Sequence, residues 1–366
     1  MKRPKIGIVG VGQIGKSHLQ EYRDLPVEVI AAADIDASEL NSVAASHGIR
    51  HVFTDFRDLL AIDEIDAVDV CLHNNLHAPV TIAALEAGKH VYCEKPIAGS
   101  YADAKAMVEA ARKADRMLSV QLYSLFAVET KAAARLIEDG YLGKPYYAKS
   151  SRLLRRYRPY VDGYGASAFV QREVASGGAL LDHGVYNIAQ VLHLLGNPRA
   201  ETVTGATHQE IPMYAERQRE SGYNVEELAV ALLRLEGGIT LSVEQSWAIH
   251  LGGASGGSAV FGSRGGIQLR PFAYFSTIAD LEMDATFDLK TADRRWHLCR
   301  PDADAYDSPQ SHWVAALQNR VPLIDTAGLA LSTMLISEGV YLSRQLGREV
   351  TAAEVEAQSS SSALEV

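Results

Sequence analysis

The sequence predicts an α/β fold in two domains, for three reasons. First, a chain of 366 residues is longer than one ordinary hydrophobic core supports. Second, short apolar runs alternate with helical patterns as far as Tyr123, which is typical of a parallel sheet covered on both faces. Third, the later part of the chain shows period-two alternation with short turns, which predicts a mostly antiparallel sheet with one open face.

The first domain is expected to span residues 1–123. Its strands are predicted at Ile6–Val9, Val27–Ala33, Ala67–Leu72, His90–Cys93 and Leu118–Leu122. Its helices are predicted at Lys16–Arg23, Ala37–His47, Val80–Ala87 and Tyr101–Ala114. Gly48 and Gly88 are good helix stops, and Ala78-Pro79 predicts a helix that opens with proline in its first turn.

A glycine-rich turn, Gly10-Val11-Gly12-Gln13-Ile14-Gly15, follows the first strand and leads into a helix. Gly10 permits the tight turn, Gly12 lets the main chain approach a pyrophosphate, and Gly15 lets the helix pack on the strand. An acidic residue, Asp34, ends the second strand about 20 residues further on, as in dinucleotide sites. The first domain is therefore predicted to be a Rossmann dinucleotide-binding domain. The residues expected at the cofactor from this part of the chain are Gly10, Gly12, Gln13, Ile14, Gly15, Asp34 and Ile35.

Asp34 also predicts which cofactor binds. A carboxylate at the end of the second strand accepts hydrogen bonds from both ribose hydroxyls and repels a 2′-phosphate. No arginine lies beside Asp34 or Asp36 to bind that phosphate. We therefore expect NAD rather than NADP.

The second domain is expected to span residues 124–356. Helices are predicted at Val128–Glu138 and Thr326–Gln345, and strands at Tyr146–Ser150, Glu227–Leu235, Ile239–Trp247, Ala259–Phe261 and Gly266–Leu269. The open face of this sheet predicts a homodimer or homotetramer. The polar segment 357–366 is expected to be a disordered tail.

Composition excludes several classes of protein. A formal net charge of -10 argues against nucleic acid as the main partner. No apolar run approaches the ~18 residues of a membrane span, and the N-terminal run is not typical of a signal peptide. The three cysteines, Cys71, Cys93 and Cys299, have neither disulfide nor metal-site spacing. A cytoplasmic protein without a bound metal is expected.

A second motif, Glu94-Lys95-Pro96, follows the strand that ends at Cys93. It lies at the carboxyl end of the parallel sheet, where such sheets bind ligands. Pro96 favours an extended conformation for Lys95, which therefore need not point outward as an ordinary surface lysine does. Lys95 could carry a proton for a reaction at the cofactor. The alternative is a solvated lysine paired with Glu94.

These motifs, with the run Gly177-Gly178-Ala179-Leu180-Leu181-Asp182-His183-Gly184-Val185-Tyr186, resemble the Gfo/Idh/MocA oxidoreductases. That family includes glucose-fructose oxidoreductase and inositol dehydrogenase. The resemblance spans nearly the whole chain and includes Leu142-Gly143-Lys144-Pro145 and Ser246-Trp247. It implies an NAD(P)-dependent dehydrogenase that moves a hydride between the nicotinamide and a hydroxyl-bearing ring carbon of a sugar, sugar derivative or cyclitol.

The resemblance also implies roles for particular residues. Lys95 is the implied proton acceptor or relay, Asp182 the implied ligand of a substrate hydroxyl, and Tyr186 stands where the family usually has a histidine acid/base. Tyrosine has a pKa of about 10 and needs help from a cation, which Lys95 could give. The remaining residues expected at the cofactor are Asn75, His77, Glu94 and Lys95. The residues expected at the substrate are Lys95, Tyr123, Arg156, Asp182, His183 and Tyr186.

Two of these assignments have alternatives. If Asp182 to Tyr186 form an α-helix, His183 lies about 100° round from Asp182 and is a packing residue instead. The segment from Arg152 to Tyr164 carries four arginines and three tyrosines. It could bind a carboxylate or phosphate of the substrate through Arg155, Arg156 or Arg158, or it could be a solvated loop or a subunit contact.

Two other functions are compatible with the same motifs. A tightly held NAD could support a redox-neutral sugar epimerase or a glycoside-cleaving enzyme, because transient oxidation of one carbon acidifies its neighbour. A protein that only senses the dinucleotide is the third possibility. The presence of both Lys95 and Asp182 argues against it, since a sensor does not need a proton relay.

Overall fold

A computed structural model describes residues 3–252 and 257–366. The chain divides into two compact units, and neither is continuous in sequence. The first unit comprises the residues up to Leu122 together with His297–Leu331 and Ser361–Val366. The second comprises Tyr123–Trp296 and Ser332–Ser360. The first boundary lies beside the predicted one, but the predicted division did not include the return of two later segments to the first unit.

The first unit contains a six-stranded parallel sheet in the order β3-β2-β1-β4-β5-β6. Its strands are β1 Lys5–Val9, β2 Glu28–Ala33, β3 His51–Phe53, β4 Ala67–Val70, β5 His90–Cys93 and β6 Leu118–Val120. Its first helices are α1 Gln13–Tyr22, α2 Ala37–His47, α3 Phe56–Leu60, α4 Asn74–Glu86 and α5 Tyr101–Ala114. This arrangement confirms the predicted Rossmann fold.

The second unit contains a nine-stranded sheet in the order β14-β13-β12-β11-β7-β10-β9-β8-β15. Its strands are β7 Pro145–Leu153, β8 Ala200–His208, β9 Leu228–Leu235, β10 Ile239–Ser246, β11 Ala259–Gly262, β12 Gly266–Gln268, β13 Ala273–Ile278, β14 Leu281–Thr286 and β15 Val350–Thr351. Every pairing is antiparallel except that of β10 with β7. The mostly antiparallel sheet is therefore confirmed.

The later helices are α6 Val128–Glu138, α7 Arg172–Ala175, α8 Val185–Leu194, α9 Ala215–Ser221, α10 Leu289–Cys299, α11 Pro309–Leu317, α12 Thr326–Leu346 and α13 Ala352–Gln358. In the part of the chain that the structure describes, no helix is both long and apolar enough to cross a membrane.

One face of the nine-stranded sheet is covered and the other is not. Leu241 and Val243 of β10 are buried, whereas the alternating residues Thr240 and Ser242 are only half-buried. On the neighbouring strand β9, Leu233 is buried and Leu232 is 56% exposed. Ser242 lies opposite Leu232 in the register of the two strands, so both face the same open side.

The core of the first unit includes residues from the returning segment. Trp313 and Val314 of α11 are buried with Ile6, Ala67 and Tyr92. The rings of Tyr92 and Trp313 stack with their centroids 5.8 Å apart. The segment 297–331 is therefore part of this unit's hydrophobic core.

The predicted start of the helix that contains Pro79 needs correction. The helix expected to open at Pro79 begins earlier, at Asn74, so that Pro79 lies inside α4. Proline has no N–H, and the carbonyl four residues earlier therefore lacks its helical donor. That carbonyl belongs to Asn75, and it accepts a hydrogen bond from the N–H of Leu364 at 3.1 Å.

The tail predicted to be disordered is partly helical and partly bound. Its first residues continue α13, which ends at Gln358. Further on, the Ser361 hydroxyl donates to Asp103 at 2.6 Å, and the N–H of Ser362 donates to the same carboxylate at 2.8 Å. Low hydrophobicity predicted disorder, but hydrogen bonds rather than apolar burial fix this segment to the first unit.

Candidate active site

The glycine-rich turn of the first unit has the geometry of a phosphate cradle. Gly10 has φ +93°, and a Cβ atom there would lie 2.3 Å from the carbonyl oxygen of Cys71. A Cβ on Gly15 would lie 2.1 Å from the carbonyl oxygen of Gly10. A Cβ on Gly12, by contrast, would meet no atom of the described residues within 4 Å. Gly10 and Gly15 are thus required by packing, whereas Gly12 leaves room for a ligand.

The N-terminus of α1 points into this turn. Its N-cap is Gly12, and among the described residues no side chain caps it and no acidic residue lies in its first turn. Gln13 and Ile14 are exposed. A helix N-terminus with unmet N–H groups and a positive dipole end binds phosphate, so these residues fit the pyrophosphate of a dinucleotide.

Asp34 is fixed beside the turn by the main chain. Its Oδ2 accepts from the N–H of Val11 at 2.8 Å, and its Oδ1 accepts from the N–H of Asp36 at 2.9 Å. Asp36 itself caps α2, accepting from the N–H groups of Ser38 and Glu39 at 3.0 Å. Ile35 between them is 93% exposed. The two carboxylates therefore have separate tasks, and the remaining lone pairs of Asp34 suit a pair of ribose hydroxyls.

His77 links the start of α4 to the Glu94-Lys95-Pro96 turn. It is fully buried, with Nδ1 2.8 Å from the carbonyl oxygen of Pro96 and Nε2 3.0 Å from that of Leu72. Burial lowers the pKa of His77. Both ring nitrogens thus face main-chain oxygens, and His77 joins the segments that contain Leu72 and Pro96. Its expected contact with the cofactor stays a prediction. Asn75 is likewise buried, and its carbonyl binds Leu364.

Glu94 and Lys95 follow β5 at the carboxyl edge of the sheet, and the Lys95-Pro96 peptide bond is cis. The Glu94 side chain is buried, and its Oε2 accepts from the N–H of Lys95 at 2.9 Å. Its Oε1 lies 2.9 Å from Nε2 of His18 on α1. Glu94 is therefore directed into the protein and is not an exposed partner for a solvated Lys95.

The second unit holds Asp182 on an unusual turn. Leu180–Gly184 form one π-helical turn that runs directly into α8. The buried carboxylate of Glu226 accepts from the N–H groups of Gly178 and Leu180 at 2.9 and 3.1 Å. The hydroxyl of Tyr341 donates to the same carboxylate at 3.0 Å. The Glu226 carboxylate thus holds the main chain at the start of this turn. Turns of π-helix are frequent at functional sites.

Asp182 is oriented by a tryptophan. Nε1 of the fully buried Trp247, at the end of β10, donates to Oδ2 of Asp182 at 2.9 Å. Nε2 of His183 lies 3.4 Å from the same oxygen. The His183 ring therefore lies near the Asp182 carboxylate, and the α-helix considered from the sequence is not the geometry of this turn.

Tyr186 lies one turn further along, in α8. The residue is 8% exposed, and its ring centroid lies 4.3 Å from that of Tyr123. The Tyr123 hydroxyl accepts from Nη1 of Arg152 at 3.3 Å. Tyr157 and Tyr164 stack at 4.1 Å, with the Tyr157 ring 6.1 Å from that of His183. The structure thus places Asp182, His183, Tyr186 and Tyr123 in one unit among aromatic rings.

The arginine-rich segment divides into a structural and an exposed part. Arg158, predicted as a possible substrate ligand, is 0% exposed and forms ion pairs with Asp162 and Glu227 at 2.9 Å. The expectation that Arg158 binds the substrate was wrong, because its guanidinium is buried and paired with two carboxylates of the second unit. Arg156 is exposed, lies 3.5 Å from Asp162, and its guanidinium covers the ring of Tyr214 at 5.3 Å.

Sequence reasoning missed several residues that support the site. They are His18 and Asp69 in the first unit and Trp247 and Glu226 in the second. Of these four residues, only Trp247 was noted in the sequence, because the pair Ser246-Trp247 is part of the resemblance to the family. No role was predicted for it.

Comparison with known proteins gives concordant results. Residues 4–122 match the model of the Gfo/Idh/MocA oxidoreductase family, NAD-binding Rossmann fold, and residues 130–268 match the Gfo/Idh/MocA C-terminal domain. The chain is 30% identical over 308 residues to D-glucoside 3-dehydrogenase of Escherichia coli K12, covering 80% of this chain and 84% of that protein. It is 25% identical to D-apiose dehydrogenase of Paraburkholderia graminis, covering 98% and 92% respectively. A crystal structure of levoglucosan dehydrogenase with NADH and levoglucosan has the same fold, with a TM-score of 0.78 at 21% identity, covering 96% of this chain and 100% of that one.

Proposed function

The chain belongs to the Gfo/Idh/MocA family of NAD-binding oxidoreductases, and from this premise we propose that it is an NAD-dependent dehydrogenase of a sugar, sugar derivative or cyclitol. The observation that carries the proposal is the Asp182–Trp247 bond on the π-helical turn, one turn before Tyr186. A fixed carboxylate and a phenol among tyrosine rings suit a ring that bears several hydroxyls, because carboxylates accept from hydroxyls and aromatic faces cover the C–H surface.

When bound, NAD supplies the hydride acceptor or donor of such a reaction. The protein's own part is to bind, orient and move protons. Asp182 holds a substrate hydroxyl, and Tyr186 and Lys95 are the proposed carriers of the proton from the hydroxyl that is oxidised. The cradle formed by Gly12, the N-terminus of α1 and Asp34 holds the dinucleotide.

The curated relatives act on glucosides and apiose by their names, so neutral carbohydrates lead the candidate substrates. The test is a screen of inositols, aldoses, anhydrosugars and uronates with NAD and NADP, following the absorbance of the reduced cofactor. We expect accumulation of NADH with at least one neutral ring substrate. Bound NAD with substrate turnover but no accumulation of reduced cofactor would contradict a net dehydrogenase and favour a redox-neutral enzyme.

Lys95→Ala tests the proton relay in the same assay. Turnover should fall by about 10²–10⁴ while the affinity for NAD stays nearly constant, because the loss concerns proton transfer and not binding. A variant that keeps more than a tenth of the turnover would show that Lys95 is structural.

We further propose that the open face of the nine-stranded sheet joins subunits into a homodimer or homotetramer. This face carries exposed Leu232 on β9 and, on the far side of β10, half-buried Tyr147 and Phe261 of β7 and β11, whose rings stack at 5.5 Å. Leu232→Glu should lower the mass in solution measured by light scattering. An unchanged mass would contradict this use of the face.

A cytoplasmic location is also proposed. Cys71, Cys93 and Cys299 are all free thiols, which suits a reducing compartment. Fractionation of cells that make the protein would test it.

A further inference from the structure

A chain of buried polar side chains lies behind Lys95 in the first unit. The Tyr22 hydroxyl donates to Oδ2 of Asp69 at 2.8 Å, and Nδ1 of His18 lies 2.9 Å from the same oxygen. Nε2 of His18 lies 2.9 Å from Oε1 of Glu94, whose Oε2 accepts the N–H of Lys95 at 2.9 Å. Asp69 is 0% exposed and His18 only 2%. We call Tyr22, Asp69, His18 and Glu94 the His18 chain.

His18 is held in its charged form by this arrangement. Both ring nitrogens face carboxylate oxygens, and an imidazole donates from both nitrogens only when it is protonated. Burial by itself lowers the pKa of His18, but the interactions with Asp69 and Cys71 together outweigh burial, and the pKa lies well above its usual range. Conversely, burial would raise the pKa of Glu94, yet the bonds from His18 and Lys95 bring it below the usual range.

The other groups that face His18 do not compete for this charge. Burial raises the pKa of the Cys71 thiol, whose Sγ lies 3.3 Å from Nδ1 of His18, so the group stays a neutral thiol. The ring of Tyr92 lies 5.7 Å away. Tyr22 is neutral too, because burial and Asp69 raise the pKa of its hydroxyl. The charged groups are thus Asp69, His18 and Glu94.

A metal ion does not explain the cluster. His18, Asp69 and Cys71 offer ligand atoms within 4.8 Å of one another. However, Nδ1 of His18 is already at hydrogen-bond distance from Asp69, at 2.9 Å, which leaves no space for an ion between them.

Three charges buried in a small core are costly, and an apolar core of the same shape would often be as stable or more so. We therefore look for a geometry that these charged side chains fix and that an apolar core would leave variable. The Glu94 carboxylate links the His18 chain to the main chain of Lys95, because its Oε2 accepts a hydrogen bond from the Lys95 N–H.

We propose that His18 and Asp69 are positioning residues for Lys95. The imidazolium of His18 holds the Glu94 carboxylate in place, and that carboxylate fixes the main chain from which the Lys95 side chain departs. Asp69, bound also by Tyr22, keeps the imidazolium oriented from behind. This inference rests on the proposed role of Lys95 as proton carrier.

The test compares His18→Gln with the matched control His51→Gln, the same substitution at an exposed histidine of β3. His18→Gln should lower kcat at least tenfold, with KM and the affinity for NAD changed less than threefold. His51→Gln should keep kcat within threefold. In the double variant with Lys95→Ala, His18→Gln should cause no further loss, because it acts through Lys95. An additive loss would overturn the proposal.

A second measurement separates this proposal from the function of Lys95. Hydrogen exchange of the Lys95 amide, observed by NMR, should be at least tenfold faster in His18→Gln than in the wild type. Unchanged protection would overturn the positioning chain. Full activity of Lys95→Ala with faster exchange in His18→Gln would instead overturn only the proposed role of Lys95.

If His18→Gln does not fold, Asp69→Asn serves instead, because it keeps the shape of the side chain. Without the Asp69 charge, burial dominates and His18 loses its proton at lower pH. The ratio of kcat in Asp69→Asn to kcat in the wild type should therefore fall at least threefold between pH 6 and 8. A ratio that does not change with pH would overturn the proposal.

Discussion

Replacing Asp34 by asparagine should remove the preference for NAD over NADP. The carboxylate is held by the N–H groups of Val11 and Asp36 at 2.8 and 2.9 Å, so its charge cannot swing away from a 2′-phosphate. Two unit charges about 5 Å apart interact by roughly 3 kcal/mol at an effective dielectric constant of about 20. Salt screening at this half-exposed position reduces that to about 1.4 kcal/mol, or tenfold in affinity.

We therefore expect the wild type to bind NAD at least about tenfold more tightly than NADP. Asp34→Asn should bring the two affinities within about threefold of each other, since Asn still accepts from Val11 but carries no charge. Titration of intrinsic fluorescence with each cofactor measures both affinities.

Asp36→Asn is the matched control. It removes the same charge two residues away, but the Asp36 side chain caps α2, and asparagine is an equally good cap. The cofactor preference should therefore stay unchanged. Equal affinities in the wild type, or a tenfold preference that survives in Asp34→Asn, would refute the reasoning.

Three further predictions concern single residues. The rate of substrate oxidation should still rise above pH 8, because a phenol ionises at a much higher pH than a histidine. Tyr186→Phe should abolish that rise. A rate that does not change with pH, with the chemical step rate-limiting, would exclude Tyr186 as the proton carrier. Trp247→Phe should raise KM about tenfold with little change in NAD affinity, because it removes a hydrogen bond to the Asp182 carboxylate and such a bond contributes about 1.5–3 kcal/mol. An unchanged KM would show that the position of Asp182 does not matter for substrate binding. Burial lowers the pKa of His312 to about 4, so the neutral form favours folding, and its contribution is present above pH 6.5 and lost as the pH falls toward 4. Between pH 7 and 5 the loss in unfolding free energy is about 2 kcal/mol, and chemical denaturation of His312→Gln should show a correspondingly smaller dependence on pH.

The elements that sequence could predict are those set by local patterns. The glycine-rich turn, the strand–helix alternation and the acidic end of β2 are all readable within a few dozen residues. They identify the dinucleotide unit and its cofactor without any long-range information. The alternation along β9 and β10 likewise predicted the open sheet face.

What sequence could not predict depends on contacts between distant residues. His18 meets Asp69 across 51 positions and Glu94 across 76, and Trp247 meets Asp182 across 65. No periodic pattern records such pairs. The π-helical turn could not be predicted for a different reason: helical patterns in a sequence are recognised by a period of 3.6 residues per turn, and a π-helix has a wider turn. Arg158 pairs with nearby Asp162 but also with Glu227, which lies 69 residues away and which no local pattern indicates.

The discontinuous first unit has a consequence for how the protein is made. Translation delivers the whole of β1–β6 before Trp313 and Val314 leave the ribosome, although these two residues belong to the core around Ile6 and Tyr92. Until then the nascent sheet presents an unfilled apolar surface, which is the kind of surface that chaperones bind. A gene fragment that stops at Leu122 would keep that surface permanently. The first unit therefore depends on residues that are translated long after Leu122, and a fragment that ends there lacks part of its hydrophobic core.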